Sequence, residues 1–106
     1  MEPLGYYQVT SLSSAYALSS LSGAAALGAN VVAIQAEGQS VRYRLDGTAP
    51  TTSVGVLMPV NQQPWILAYG YPLDATALAK IKLIETTAGA TINIVFYKTC
   101  RQFTEF

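Results

Sequence analysis

Between residues 40 and 45 the chain alternates cleanly, with Val41, Tyr43 and Leu45 on one side of an extended backbone and Arg42 and Arg44 on the other. A period of two marks a strand with one buried and one wet face. Residues 90–98 repeat the pattern more strongly, with Ile92, Ile94 and Phe96 facing one way and Asn93, Val95 and Tyr97 the other. The β-branched run at 31–37 is bounded by Asn30 and Gly38. Only Gly38-Gln39 separates it from the strand at 40–45, a length that suits a tight hairpin.

Further strands are expected at 54–60, ended by Asn61-Gln62-Gln63-Pro64, and at 65–69, stopped by Gly70 and Pro72. Residues 78–85 hold enough alanine and leucine for a short helix. Because Ile81 and Leu83 separate from Lys80 and Lys82 with period two, the reading here is a strand. Near the start, 6–12 reads as a strand and 15–18 as a short second one. The Ser/Ala/Gly/Leu segment at 19–30 reads as a loop or one or two helical turns, with 24–27 its most helical part. About eight short strands with turn signals between them predict an all-β fold. The expected form is a single antiparallel β-sandwich, jelly-roll-like domain with extended terminal arms.

Composition narrows the class. A chain of 106 residues fits one domain and leaves no adequate core for a second. Hydrophobic residues make up 51% and charged residues 11%, against a usual charged share of about 25%. Disorder is excluded by that balance. With so few charges to solvate its outside, the domain is expected to cover part of its surface with a partner. Six basic and six acidic residues give no net charge, which argues against nucleic-acid binding, since phosphate neutralisation needs a basic surface. The N-terminus lacks the basic start and apolar run of a signal peptide. The longest apolar stretch, at 23–32, is too short to span a bilayer. Synthesis in the cytoplasm, with no membrane partner, is the expectation.

Candidate chemistry is sparse. No histidine is present, which removes the common general base, the Ser-His pair and imidazole ligation. Glu2, Glu37, Asp46, Asp74, Glu85 and Glu105 are scattered, and most such residues are solvated loop charges. Cys100 is the single cysteine, so an intrachain disulfide and a cysteine metal cluster are both ruled out. Asp46-Gly47-Thr48 reads as an exposed turn and lacks the oxygen ligands of a calcium loop. The expectation is a protein without catalytic activity, cofactor or metal.

The aromatics are the more informative group. On a regular strand Trp65, Leu67 and Tyr69 share a face, and Tyr71 continues it. Such a row serves as core, as an interface anchor or as a stacking platform for sugar rings. Tyr6 and Tyr7 point to opposite faces, so at most one of them is core. Phe103 and Phe106 follow the strongest strand. Exposing each forfeits roughly 1.5–3 kcal/mol of possible burial, so a covering surface is expected for them. The interface candidates are therefore Tyr6, Tyr7, Arg42, Arg44, Trp65, Tyr69, Tyr71, Phe103 and Phe106.

Four stretches carry a family resemblance. They are Ala33-Ile34-Gln35-Ala36-Glu37-Gly38-Gln39-Ser40-Val41-Arg42-Tyr43-Arg44, then Asp46-Gly47-Thr48-Ala49-Pro50-Thr51, and then Leu78-Ala79-Lys80-Ile81-Lys82-Leu83-Ile84 with Ala88-Gly89-Ala90-Thr91-Ile92-Asn93-Ile94. From about residue 9 to 98 the chain resembles a small β-sandwich protein that recurs among the structural genes of tailed bacteriophages. The resemblance implies a virion component, in the first place a head decoration or cement protein. Its implied partners are copies of itself in a closed oligomer and the major capsid protein or other virion proteins. Its implied location is the capsid surface or head-tail region. A connector or tail placement, or a receptor- or glycan-binding module using the strip from Trp65 to Tyr71, is the alternative. The ends at 1–8 and 99–106 extend past the resemblance and are expected to act as docking arms.

Overall fold

The computed structural model describes residues 2–99. Its eight strands are β1 (Glu2–Val9), β2 (Tyr16–Ala17), β3 (Val31–Glu37), β4 (Val41–Arg44), β5 (Val56–Met58), β6 (Trp65–Tyr69), β7 (Lys82–Glu85) and β8 (Thr91–Lys98). They form two four-stranded sheets, in the orders β1-β8-β3-β6 and β2-β7-β4-β5. All strand pairs are antiparallel, and β4·β5, β3·β6, β2·β7 and β1·β8 are nested one outside another along the chain. A double-stranded ribbon turned at β4–β5, then rolled until β3 meets β8 and β4 meets β7, produces this order. That is a jelly roll, the double-sheet form of the antiparallel sandwich. The all-β sandwich expected from the alternation is the fold.

Alternation decides what fills the space between the sheets. Ile92, Ile94 and Phe96 of β8 are wholly buried, while Asn93, Val95 and Tyr97 are half-buried on the other face. Val32, Ile34 and Ala36 line the same inner face from β3, and Val41, Tyr43, Met58 and Leu83 meet them from the second sheet. Phe96 stands opposite Gly5 of β1, where no side chain competes for its volume. Tyr7 then packs edge-on against the Phe96 ring, with centroids 5.7 Å apart. Leu12, Leu18, Leu21, Leu73, Leu78 and Ile81 close the core from the connections. Among the described residues no polar or charged side chain is buried.

Several expectations are corrected. Residues 38–39 do not close a hairpin, because β3 and β4 belong to different sheets and the chain crosses the sandwich there. Gly38 makes the crossing at φ +84°, pressed against the carbonyl of Gly89. Residues 78–85 are not one strand. A short helix, α1 (Ala75–Ala79), comes first, and β7 begins only at Lys82. The Asp74 side chain accepts the amide of Ala77 at 2.9 Å, and that N-cap tips the alanine-rich segment to helix. Replacing Asp74 with alanine is expected to lower stability by about 1 kcal/mol, which a urea titration will read.

Of the strand expected at 54–60, only Val56–Met58 forms. Gly55 at φ +133° and the reciprocal Thr51–Val54 main-chain bonds turn the chain before it. Leu45, expected on the buried face, lies past the end of β4 and is exposed. The N-terminal segment, expected as an arm, is an edge strand from Glu2 onward, with Glu2 opposite Lys98 and Val9 opposite Ile92. The segment at 19–30 contains two 3₁₀ turns, Leu18–Ser20 and Ala24–Leu27, as expected of it. The expected C-terminal arm beyond Thr99, including Phe103 and Phe106, lies outside the described residues.

Candidate functional site

The outer face of the β1-β8-β3-β6 sheet is divided into a wet half and a dry half. Across the wet half run Gln8, Asn93 and Gln35, with Glu37 beyond. The Asn93 amide oxygen accepts from Tyr6 Oη at 2.7 Å and from Gln8 Nε2 at 3.1 Å. Its Nδ2 donates to Glu37 at 3.0 Å. These bonds tie three strands together on the solvent side.

The dry half is formed by two rows. One is Tyr6–Val95–Ala33–Ile66 and the other Pro3–Tyr97–Val31–Tyr69. Val31 and Ala33 belong to the outer face, yet their larger neighbours bury them. Tyr6, Ile66 and Tyr69 stand proud at 60%, 52% and 55% exposed. Neither row carries a charge. An uncharged apolar surface of this kind is a mark of an interaction site.

The fate of each sequence candidate follows from its strand. Tyr6 faces outward. Tyr7 faces the core and donates its hydroxyl to the Ser22 carbonyl at 3.1 Å. Trp65 and Tyr69 were expected on one face, and they are not. A bulge opposite Val32/Ala33 leaves Leu67 as an extra residue in β6. That residue shifts the alternation, so Trp65 (opposite Ile34) turns inward while Ile66 and Tyr69 turn outward. Trp65 packs edge-on against Tyr43, centroids 6.2 Å apart. The aromatic strip from Trp65 to Tyr71 is therefore broken. Tyr71 is exposed by a separate cleft of about 500 Å³ that Leu45, Pro72, Asp74 and Lys80 also line. Another cleft, of about 540 Å³, opens between Ala29, Asn30, Gly70, Leu73, Asp74 and Lys98.

Neither arginine of β4 belongs to the dry face. Arg42 donates from Nε to the Thr52 carbonyl at 3.1 Å and from Nη1 to the Gly55 carbonyl at 2.9 Å, holding the loop before β5. Arg44 pairs with Asp46 at 2.6 Å. The Arg44 hydrogen bond, with help from the Thr48 amide, holds the Asp46 carboxyl below the usual carboxylate range. Burial pushes the phenols of Tyr16 and Tyr43 above their ordinary value. Among the described residues no three potential ligands gather to hold a metal ion. Among the described residues no helix is long and apolar enough to cross a membrane.

Sequence reasoning missed Ile66, because the bulge that turns it outward has no marker in the local residues. It also missed the exposure of Val54, Val56 and Leu57 on and just before β5. The composition had signalled it, since a chain with 11% charged residues must leave apolar ones outside.

The fold class is thus a jelly-roll sandwich with one dry sheet face. No family model, curated protein or solved structure matches the chain.

Proposed function

We propose that this chain is a non-catalytic structural component of a tailed-phage virion, a head decoration or cement protein that clamps neighbouring capsid subunits. The observation that carries docking is the uncharged pair of rows ending in Tyr6, Ile66 and Tyr69. Placement on a phage head rests on the sequence resemblance. Jelly rolls recur in viral capsid and lectin domains, an analogy of fold alone. Burying apolar surface stabilises by about 25 cal/mol per Å², so one copy contributes modestly. Repetition by particle symmetry multiplies a modest contact into a large gain in particle stability.

Copy number is the test. Quantitative mass spectrometry of purified particles is expected to give hundreds of copies, and a dozen or fewer would move the chain to the connector or tail. In co-sedimentation with capsids, the triple variant Tyr6→Ser/Ile66→Ser/Tyr69→Ser should bind about thirtyfold more weakly or worse, as expected for loss of an anchor cluster worth about 2 kcal/mol. Its melting temperature should stay within a few degrees of the parent. Undiminished capsid binding would rule this face out. The glycan reading is weakened, because Trp65 turns toward Tyr43, is only half-exposed and does not share a face with Tyr69. Tryptophan fluorescence is accordingly expected to ignore added sugars.

A further inference from the structure

We infer that β1 is the seam of a symmetric dimer, pairing antiparallel with β1 of a second copy to join two sheets into one of eight strands. This goes beyond docking on a particle, since it concerns the isolated chain. The inference starts from the four strand edges the jelly roll leaves open. β2 has two residues and β5 three, too short to template a partner. β6 is interrupted by its bulge after two register pairs on either side. On β1, by contrast, residues 5–9 run in unbroken register with β8. Among the described residues, no main-chain hydrogen bond reaches 5–9 from any segment other than β8.

Natural edges are guarded by charge, proline, bulges or a covering segment. In β1 the guards sit at the far end, where Pro3 and the bulge at Leu4 lie. Gly5-Tyr6-Tyr7-Gln8-Val9 has none of them. The 3₁₀ turn Ala24–Leu27 packs against Gly5 on the core side, and none of its main-chain groups bonds to β1.

The occupant is a second copy for two reasons. Antiparallel pairing about a two-fold axis makes a strand its own complement, so residues 5–9 need no foreign sequence. No like charges face one another across such a seam, because 5–9 carries none and the chain's net charge is zero. The pairing also brings the two dry faces edge to edge, with Tyr6 of each copy at the join. A five-residue seam buries less than the roughly 800 Å² per partner of a standard interface. The dimer is therefore expected to dissociate in the micromolar range.

Light scattering coupled to size exclusion, run from about 10 to 500 μM, should show the 11.3 kDa chain moving to twice that mass. A monomer across the series overturns the inference. Along 5–9 the amides point alternately to β8 and to the open edge, so semisynthetic chains N-methylated at the Tyr7 amide or at the Gln8 amide, which keep both side chains, separate the two roles. One of them should melt much lower. The other should keep its fold and weaken dimerisation at least tenfold; a dimer that survives in that variant overturns the seam.

A single cysteine moved through positions 5–9 in a Cys100→Ser background gives a geometric check. Paired antiparallel strands hold opposed Cα atoms about 4.5–5.5 Å apart, within disulfide reach. Oxidation should cross-link the position on the axis and spare an Ile66→Cys control on the opposite edge. The reverse pattern would move the seam to β6 and overturn β1. Capsid co-sedimentation is scored separately, so a monomer that still binds particles defeats the dimer and leaves the docking proposal standing.

Discussion

Replacing Phe96 with alanine is expected to remove about 3–5 kcal/mol of stability, the range for truncating a buried aromatic ring. Phe96 is wholly buried in the second strand of its sheet, between Gly5 of β1 and Val32 of β3. Gly5 has no side chain to relax into the space, and Tyr7 is held from moving in by its bond to Ser22. The cavity should therefore stay largely open, which places the loss toward the upper end. At about 4 °C per kcal/mol for a domain of this size, the melting temperature should fall by about 12–20 °C. Thermal melts followed by far-UV circular dichroism give the number. A fall under about 4 °C would mean that Phe96 is not the keystone of this face.

Gly38→Ala should be the most damaging single-methyl addition. The residue sits at φ +84°, and an added Cβ would lie 2.7 Å from the Gly89 carbonyl oxygen. Gly89 is itself at φ +106°, so neither turn has an easy way to retreat. Backbone strain of this kind costs about 1–3 kcal/mol, and the collision adds to it. Gly28→Ala is the matched control, at φ +71° with nothing within 4 Å of the new methyl. Denaturant titrations should show Gly38→Ala less stable than Gly28→Ala by about 1 kcal/mol or more, on the scale of a single strained or overpacked site. Equal losses would remove the collision from the account.

Much of the sandwich was legible because strand alternation is a local signal. β3 and β6 fall where the β-branched and aromatic runs placed them, and β8 splits its faces as Ile92, Ile94 and Phe96 had indicated. What failed was set by tertiary structure or by a competing local bond. The two-residue link at 38–39 looked like a hairpin because its length fits one. Only the rolling of the whole ribbon sends the next strand to the other sheet. At 75–79 one carboxylate, Asp74, outweighed a period-two pattern that became real only from Lys82.

The candidate surface was half legible. Tyr6 and Tyr69 were named, but Trp65 was assigned to their company because an extra residue in β6 cannot be seen in a run such as Trp-Ile-Leu-Ala-Tyr. Arg42 and Arg44 were named as interface candidates, and the structure has them bonded to a loop and a turn.

The pairing of β1 with β8 has a consequence for how the protein is made. β8 is the inner neighbour of both β1 and β3, and it is the last strand in the described chain. A ribosome adding about 5–20 residues per second leaves β1 without its partner for roughly 5–20 s. During that wait Tyr7 and Val9 have no sheet to lie against, and β3 holds only β6. The nascent chain should therefore remain protease-sensitive until β8 has emerged, and a fragment ending at residue 90 should not fold at all. Folding of this domain is expected to begin only once β8 has been synthesised.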